Sequence, residues 1–250
     1  MSILSKNQLK FLASYRLQKR CDDEGVFVVE GIKMCNEALL SGFRILYSCA
    51  TADYLASAQL GTAGGEVYEV TPEQLERLSN MKTPNKIWML VERKTGSGKR
   101  ETGSEKRLTL ALDGLQDPGN MGTIMRTADW YGIRHIVCSR DTVSCYNPKV
   151  VQATMGAVFR TTVEYVDLAE WLDNAAGRGI VSYGAMMDGE DYRKVQLHHP
   201  AVLVIGNEGR GISQTVSEKV GHKLTIPNLG GTCESLNAAV ATAILTSNFF

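Results

Sequence analysis

Two polar residues suited to binding an anion lie in the C-terminal half of the chain, just after the turn Asp117-Pro118-Gly119. They are Asn120 and Arg126. An arginine offers five N–H donors in a planar fork that fits phosphate, and an asparagine offers both a donor and an acceptor. No histidine or carboxylate pair accompanies them as an ordinary general base. Taken alone, Asn120 is expected to be a helix cap and Arg126 an exposed helix arginine.

A glycine-rich turn over residues 206–211 follows the apolar segment Ala201–Ile205. Its sequence, Gly-Asn-Glu-Gly-Arg-Gly, has the spacing GxxGxG. The dinucleotide-binding fold uses GxGxxG early in its domain, directly after a strand, whereas this turn lies late in the chain. A nicotinamide-dependent dehydrogenase is therefore disfavoured.

A third polar group lies in the loop Pro227–Glu234 and in Ser235 and Asn237, which follow it. Two adjacent glycines allow the loop backbone to approach a ligand closely. Ser235 or Glu234 is expected to cap a final helix over residues 236–249. That helix is apolar on nearly every side, which predicts a position inside a core or an interface.

Strands and helices alternate across residues 108–250, and each expected strand is nearly all apolar. This pattern predicts an α/β domain with a parallel sheet covered by helices on both faces. The expected strands are 108–112, 135–138, 161–163, 180–185, 201–205 and 222–226. The expected helices are 121–130 (capped by Asn120), 147–155, 168–176 and the final one.

Three segments resemble, in sequence, order and spacing, the three motifs of the SpoU (TrmH-type) RNA ribose methyltransferases of the SPOUT class. They are DPGNMGTIMRTA at 117–128, VLVIGNEGRGIS at 202–213 and TIPNLGGTCESLNAAVATAI at 225–244. The resemblance implies an enzyme that transfers a methyl group from S-adenosylmethionine to a ribose 2′-hydroxyl of RNA. By family analogy the RNA is 23S ribosomal RNA. The alternatives are transfer RNA as substrate, or an inactive RNA-binding factor for ribosome assembly with the same fold.

The resemblance also implies roles for individual residues. The expected catalytic residues are Arg126, Asn120, Glu208, Ser235 and Asn237. The expected cofactor-binding residues are Ala185, Gly206, Asn207, Ile226, Gly230 and Leu236. Arg126 is expected either to stabilise the emerging alkoxide, with an RNA phosphate beside it, or to act directly as a base.

The fold implied for residues 108–250 is a deep C-terminal trefoil knot, in which the final helix is threaded through an earlier loop and packs against a second copy in a homodimer. Threading of this kind is rare in proteins. Two features depart from the family pattern. Asn228 stands where Met is usual, and the loop from Ile226 to Leu236 is about one residue longer.

Residues 1–97 predict a small second α/β domain. A helix is expected over residues 5–20, either solvated or facing RNA, and a capping box opens another helix at Thr71. The remaining expected elements are strands 26–29, 44–49, 66–70 and 86–91 and helix 32–40. This region resembles the substrate-binding domain of SpoU enzymes, similar in fold to small ribosomal RNA-binding proteins. The expected boundaries are an extension at 1–20, this domain at 21–97, a linker at 98–107 and the catalytic domain at 108–250.

The composition agrees with a cytoplasmic protein. The 27 basic residues equal the 27 acidic ones, but basic residues are in excess in residues 1–107, which is the better place for an RNA surface. Six cysteines form no C-x-x-C pair, which predicts reduced thiols, and four histidines lack ligand spacing, so no metal site is expected. Neither a signal peptide nor an apolar run of transmembrane length is found, so no membrane partner is expected.

Overall fold

The computed structural model describes residues 2–57, 65–94 and 108–250. The strands are β1 Ser2–Ile3, β2 Val26–Glu30, β3 Ile45–Ala50, β4 Glu66–Glu69, β5 Ile87–Glu92, β6 Leu108–Leu112, β7 His135–Ser139, β8 Thr162–Val166, β9 Val181–Asp191, β10 Ala201–Ile205 and β11 His222–Thr225. The helices are α1 Lys6–Ala13, α2 Gln18–Asp23, α3 Ile32–Leu40, α4 Ala52–Ser57, α5 Pro72–Leu78, α6 Pro118–Trp130, α7 Pro148–Thr154, α8 Leu168–Ala176, α9 Gln214–Ser217 and α10 Ala238–Ser247. The predicted linker 98–107 lies outside the described residues.

The chain divides by its contacts into two compact units. The first contains residues 1–96 and 146–159, and the second contains residues 97–145 and 160–250. Segment 146–159 belongs to the first unit because its aromatic rings pack around Phe27. The centroid of the Phe27 ring lies 4.7 Å from that of Tyr146 and 6.1 Å from that of Phe159.

The first unit contains a mixed sheet in the order β1-β4-β3-β5-β2. Strands β1, β4 and β3 run parallel, and β5 runs antiparallel to both of its neighbours. One face of the sheet packs on α1, α2 and α5 through a core of buried apolar side chains. Its largest members include Leu12, Leu78, Trp88 and Leu90.

The predicted helix over residues 5–20 is wrong in its continuity. The chain forms α1 and α2 with a short 3-10 turn, Ser14–Arg16, between them. Two local features explain the interruption: the Ser14 hydroxyl donates back to the carbonyl of Phe11, and Leu17 takes an extended conformation. The capping box predicted at Thr71 is present on α5, where Thr71 and Gln74 exchange hydrogen bonds.

The second unit confirms the prediction of a parallel sheet. Its strands lie in the order β11-β9-β10-β6-β7-β8, and every neighbouring pair is parallel. Strands β6 and β10 have the predicted bounds and lie beside each other near the centre, with all five residues of β10 buried. Helix α8 also has the predicted bounds, and its Leu168 and Leu172 pack against this sheet.

The final helix, α10, begins at Ala238 instead of the predicted Leu236. Asn237 caps it in place of Ser235 or Glu234, since the Asn237 side chain accepts from the backbone N–H groups of Ala239 and Val240. One face of α10 packs on α6, whereas Val240 on the other face is 47% exposed. No helix in the described ranges 2–57, 65–94 and 108–250 has the length and apolar character needed to cross a membrane.

Candidate active site

Two of the predicted polar groups, together with the pair Asp113 and Gly114, follow the carboxyl ends of three strands of the second unit. Asp113 and Gly114 follow β6, the glycine turn 206–211 follows β10, and the loop 226–237 follows β11. Because these strands are parallel, their carboxyl ends lie along one edge of the sheet. Ligands of open α/β sheets bind at that edge.

The glycine turn is closed by reciprocal backbone hydrogen bonds between Asn207 and Gly211, each 2.9 Å long. The Asn207 side-chain oxygen also accepts from the backbone N–H groups of Gly209 and Arg210, at 3.0 and 3.1 Å. At Gly206 a Cβ atom would lie 2.1 Å from the carbonyl carbon of Gly211. Only glycine fits there, because the two backbone segments nearly touch.

Asp113 and Gly114 fasten the glycine turn to the end of β6. The Asn207 side-chain nitrogen donates to the carbonyl of Gly114 at 2.7 Å. The buried carboxylate of Asp113 accepts from the backbone N–H of Ser213 at 2.6 Å. Both ends of the turn are thereby held, so its exposed backbone presents a fixed surface.

Asn120 does not cap α6 as predicted. Asp117 is the cap, and its carboxylate accepts from the backbone N–H of Asn120 at 2.7 Å. The Asn120 side chain is therefore free for longer contacts. Its nitrogen donates to Glu208 Oε1 at 3.0 Å, and its oxygen accepts from the side-chain nitrogen of Asn237 at 2.8 Å.

This polar chain, Glu208–Asn120–Asn237, joins one residue from each of the three predicted motifs. A carboxylate only accepts, so the Asn120 amide must turn its nitrogen toward Glu208 and its oxygen toward Asn237. Asn237 is fixed in the same sense because its own oxygen caps α10. Each amide in the chain therefore has one orientation that satisfies all its partners.

Arg126 lies on α6 six residues after Asn120, and its side chain is exposed. Six residues of helix correspond to an axial rise of about 9 Å. No described residue forms an ion pair or hydrogen bond with its guanidinium group, and the Ser235 hydroxyl is likewise without a described partner. Both groups are available to an incoming ligand.

The loop 226–237 is organised by Asn228, the residue that departs from the family pattern. Its side-chain oxygen accepts from the N–H groups of Gly230 and Gly231, at 3.0 and 2.7 Å. Its side-chain nitrogen donates to the carbonyls of Gly231 and Cys233, at 3.0 and 3.3 Å. Gly230 has φ +106, which a residue with a side chain rarely adopts.

The same loop offers donors and apolar surface that fit a small organic cofactor. The backbone N–H groups of residues 232–236 donate to no described residue. Beside them Leu236 is 49% exposed and Ile226 is half-buried. Free N–H groups that are later covered must find an acceptor, which a bound ligand with ring nitrogens or hydroxyl groups supplies.

Ala185 marks the point where β9 leaves its partner strand. Lys223 pairs with Gly184 and the next residue, Leu224, pairs with Glu190, so residues 185–189 bulge out of the β9–β11 ladder. The bulge is tied back by the ion pair of Lys223 with Asp188 at 2.6 Å. The hydrogen bond from Lys223 holds the pKa of the Asp188 carboxyl below its usual value.

The structure thus brings five predicted residues into direct contact or continuous backbone. They are Asn120, Glu208, Asn237, Gly206 and Asn207. The other six have no hydrogen bond to this network among the described residues; they are Arg126, Ser235, Ala185, Ile226, Gly230 and Leu236.

Three supporting residues were missed by the sequence analysis, namely Asp113, Asp117 and Asn228. Two carried a readable signal. Asp113 directly follows an apolar strand, and Asp117 precedes a proline, which is typical of the residue before the first helical position. For the contacts of Asn228 within its own loop the sequence offered no such signal.

Comparisons with known proteins identify relatives of both parts of the chain. The sequence model of the SpoU rRNA Methylase family matches residues 107–247, and that of the MRM3-like substrate binding domain matches residues 6–88. A relative from Bacillus subtilis (strain 168), the 23S rRNA (guanosine(2553)-2′-O)-methyltransferase RlmP, is 30% identical over 243 residues. That alignment covers 96% of this chain and 95% of the relative.

Two solved structures have the same fold over nearly their whole length. One is a Porphyromonas gingivalis protein assigned to the TrmH family of RNA methyltransferases, with 40% identity and a TM-score of 0.88, covering 99% of this chain and 98% of that one. The other is an AdoMet-bound rRNA methyltransferase from Sinorhizobium meliloti, with 27% identity and a TM-score of 0.87, covering 100% and 97%. On the family match over residues 107–247 and the full-length relative, this chain belongs to the SpoU rRNA methylase family.

Proposed function

We propose that this protein methylates the 2′-hydroxyl of one ribose in ribosomal RNA, using S-adenosylmethionine, and that the RNA is 23S rRNA. The observation that carries the proposal is the hydrogen-bonded chain Glu208–Asn120–Asn237, which ties the three family motifs together at the carboxyl edge of the parallel sheet. The name of the Bacillus subtilis relative supports the choice of 23S rRNA.

S-Adenosylmethionine, when bound, supplies a methyl group on a positively charged sulfur. The residues proposed to hold it surround the glycine turn and the loop 226–237, and they are Gly206, Asn207, Ile226, Gly230, Leu236 and Ala185. The support is local: the fixed turn backbone, the free N–H groups of residues 232–236 and the apolar side chains beside them. The AdoMet-bound relative from Sinorhizobium meliloti has the same fold.

The role proposed for Arg126 is stabilisation of negative charge. A guanidinium group stays protonated below a pH of about 12, which makes it a poor base. Its free, exposed donors instead suit an RNA phosphate beside the target ribose, and they stabilise the alkoxide as the 2′-hydroxyl loses its proton. Direct proton abstraction by Arg126 is the alternative.

Ser235 and Asn120 are proposed to orient the ribose. The Ser235 hydroxyl has no described partner and can both donate to and accept from a sugar hydroxyl. Asn120 is held between Glu208 and Asn237, so the ribose meets a side chain that does not reorient. Glu208 and Asn237 are then positioning residues, which act through Asn120.

The C-terminal chain is proposed to pass through the loop that joins β9 to β10, forming a trefoil knot. The support is the packing of the last residues of the chain. Phe249 contacts the rings of Tyr183 and His199, at centroid distances of 5.6 and 5.9 Å. Asn248 donates from its side chain to the carbonyl of Tyr192 at 3.0 Å.

A homodimer formed through the second unit is also proposed. Apolar side chains on α6 and α10 and next to α10 are exposed: Trp130 at 86%, Phe250 at 54%, Leu236 at 49% and Val240 at 47%. Large apolar side chains grouped on two adjoining helices favour burial against a partner, and a second copy is the partner that the family resemblance implies. Light scattering of the purified protein tests this, with twice the mass of 27.4 kDa as the expected result.

The first unit is proposed to bind the RNA substrate, in agreement with the substrate-binding domain matched at residues 6–88. The boundaries proposed for the parts of the chain are 1–20, 21–97, 98–107 and 108–250, although residues 146–159 of the last part pack with the first unit. The proposed location is the cytoplasm, where ribosomal RNA is available for modification.

Transfer of labelled methyl groups to bulk RNA tests the proposed function. Purified protein is incubated with tritiated S-adenosylmethionine and with ribosomal or transfer RNA from cells that lack the gene. Label is expected in the ribosomal RNA. Label found only in transfer RNA would support the methyl-transfer reaction and show that the substrate is transfer RNA. Cofactor binding without any transfer would favour the inactive assembly factor.

Variants of Arg126 test its role in the same assay. Arg126→Ala is expected to lower kcat by roughly 100-fold or more, in line with the loss of a group that stabilises developing negative charge. Arg126→Lys keeps the charge and should keep part of the rate if the role is electrostatic. Arg178→Ala is the matched control, since Arg178 is also exposed and lies after α8. Near-full rates in both Arg126 variants would exclude both roles.

A further inference from the structure

A pocket of about 160 Å³ lies on the first unit, and its lining residues are not among those assigned a role above. Its lining consists of aromatic and polar side chains and one leucine from α1, β3 and β4: Gln8, Phe11, Leu12, Tyr47, Glu66 and Tyr68. A volume of this order admits one planar ring system and excludes a folded segment of chain. The lining residues all lie in well-defined elements of one unit.

Two aromatic rings form adjoining walls of the pocket. The planes of Phe11 and Tyr47 meet at 76°, with centroids 6.1 Å apart. Phe11 is 40% exposed, and the guanidinium group of Arg20 lies over one face of its ring, 4.9 Å from the centroid. Exposed aromatic rings of this kind are the surfaces on which proteins stack unpaired bases of RNA.

The polar end of the pocket is an ordered row of hydrogen-bonding groups. The side-chain nitrogen of Gln8 donates to the Tyr68 hydroxyl at 2.8 Å, and that hydroxyl donates to Glu66. Gln8 is also held from its other side, because its oxygen accepts from the backbone N–H of Ser5 in the capping box of α1. The bond to Glu66, with burial, raises the pKa of Tyr68 to about 12, so the phenol stays protonated at neutral pH.

Two hydrogen-bonding groups at the polar end of the pocket have no partner among the described residues. Gln8 has a second N–H that donates to no described residue, and Glu66 Oε1 accepts from none. The pocket therefore offers one donor beside a negatively charged acceptor. Guanine presents the complement on its Watson–Crick edge, an acceptor O6 next to two donors, N1–H and N2–H. Uracil also presents an acceptor beside a donor, but its second carbonyl oxygen would lie next to the Glu66 carboxylate, where guanine presents N2–H. The like charges on these oxygens disfavour uracil.

Exposed basic side chains lie in the first 20 residues of the same unit. Lys6, Lys10, Arg16 and Lys19 are exposed on α1, on α2 and on the turn between them, and none pairs with a described acidic group. Unpaired cations on this unit attract the backbone of a single-stranded RNA, whose base the pocket then contacts.

We propose that this pocket is a nucleobase subsite, in which one unpaired guanine of the RNA stacks on Phe11 or Tyr47 and is recognised at its Watson–Crick edge by Glu66 and Gln8. The proposal rests on RNA being the substrate, as proposed above. It adds a recognition site on the first unit, separate from the residues assigned to methyl transfer.

Fluorescence anisotropy of the full-length protein with two labelled RNA oligonucleotides of equal length tests the subsite. One probe is all uridine and the other has a single central guanosine. The wild type is expected to bind the guanosine probe roughly tenfold more tightly, which is the discrimination typical of one bidentate base contact. Equal affinity for both probes would overturn the proposal.

Glu66→Gln separates base recognition from general charge. It replaces the free acceptor with a group that also donates, so the preference for guanosine should disappear. Glu69→Gln is the matched control, because it removes the same charge from an exposed position on the same strand. If the two variants keep the same preference as the wild type, the assignment of Glu66 is wrong.

Phe11→Leu tests the stacking surface while keeping an apolar side chain for the core. It should weaken binding of the guanosine probe roughly fivefold, and Phe11→Tyr should restore it, since a planar ring is present again. Equal binding by Phe11→Leu and the wild type would exclude Phe11 as the platform.

The methyl-transfer assay on the same protein preparations separates this proposal from the proposed function. Methylation without guanosine preference would overturn the subsite and leave the enzyme activity standing. The wild type could instead prefer guanosine, lose that preference in Glu66→Gln, and show no transferase activity. That result would support the subsite and overturn the proposed methyl-transfer function. In an active enzyme, Glu66→Gln should raise KM for RNA with little change in kcat.

Discussion

Asn237 donates from its side-chain nitrogen to the side-chain oxygen of Asn120 at 2.8 Å, although 117 residues of chain separate them. Asn120 passes the same interaction on to Glu208. The result is a continuous polar chain with a defined direction, from the cap of the last helix to the glycine turn. Each side-chain nitrogen in this chain donates toward Glu208, so the effect of a substitution depends on whether the new group donates or accepts.

Asn120→Asp should break one link of this chain and lower methyl transfer by roughly 10- to 100-fold, as expected when a hydrogen bond to a charged group is lost. The new carboxylate still accepts from Asn237, but it repels Glu208. Adding Glu208→Gln should restore part of the rate, because the glutamine amide can donate to the new carboxylate. Thermal stability should hardly change, since a carboxylate in the first turn of α6 suits the helix dipole.

The control for that experiment is the Glu208→Gln single variant. A double-mutant cycle of rates isolates the coupling between the two positions. If the effects of the two substitutions simply add, the two side chains do not act as one unit in the reaction.

Asp117→Ala should lower the free energy of unfolding by about 1 kcal/mol, because Asp117 caps α6. Asp117→Asn should cost only a small fraction of that, since its oxygen still accepts from the backbone. Denaturant titration measures both. An Asp117→Ala variant as stable as the wild type would show that Asp117 does not cap this helix.

Gly206→Ala should abolish cofactor binding and lower stability by about 1–3 kcal/mol, because the added methyl group collides with backbone 2.1 Å away. Gly209→Ala is the matched substitution in the same turn. A Cβ there would meet only the Asn207 side-chain oxygen, at 3.8 Å, so it should be tolerated. Calorimetric titration with S-adenosylmethionine compares the two, and equal effects would contradict the described turn.

The buried Glu30 predicts a pH dependence of stability. Burial raises the pKa of its carboxyl above the usual 4.5, partly offset by hydrogen bonds from Ser79 and the backbone of Asn80. Between the unfolded and folded pKa values the unfolded state binds fewer protons, so stability falls as pH rises through that window. The favourable contribution is therefore complete below about pH 4.5 and lost above the raised pKa.

Glu30→Gln removes this titration and keeps a group able to accept and donate. Melting temperatures of both proteins at about pH 4 and about pH 8 test the prediction, because groups other than Glu30 cancel in the difference. The variant should gain on the wild type as the pH rises between these two values. A difference that stays constant with pH would mean that Glu30 ionises normally in the folded protein.

The parallel sheet was predictable because its strands are short apolar runs with clear ends. Residues 108–112 and 201–205 have the predicted bounds, and helix 168–176 does as well. When such apolar runs alternate with helices, few arrangements other than a parallel sheet covered by helices can bury them. Family resemblance, and not periodicity, identified Asn120, Glu208 and Asn237 as members of one site.

Two errors at helix ends came from competition between neighbouring residues that can cap a helix. The sequence favours Asn120 as the cap of α6, although Pro118 is typical of the first helical position and therefore indicates Asp117. It also favours Ser235 as the cap of α10, two residues before the actual cap, Asn237. Neither choice could reveal the side-chain contact of Asn120 with Asn237. A contact across 117 residues depends on how strands and helices pack, which no local pattern contains.

The contacts that Asn228 makes within its loop could not be predicted from the sequence either. The sequence marks Asn228 as unusual, but its four hydrogen bonds to backbone of residues 230–233 become visible only in the folded loop. An asparagine side chain replaces water as the partner of several backbone groups at once. The side chain of Asn228 therefore stabilises the conformation of the longer loop.

The most direct test of the account is a map of 2′-O-methylated nucleotides in ribosomal RNA from cells with and without this protein. Loss of one ribose methylation in 23S rRNA is expected on deletion, with recovery by the wild type and not by Asn120→Asp at equal expression. An unchanged map, or a lost methyl group that proves to be on a base, would contradict the central claim.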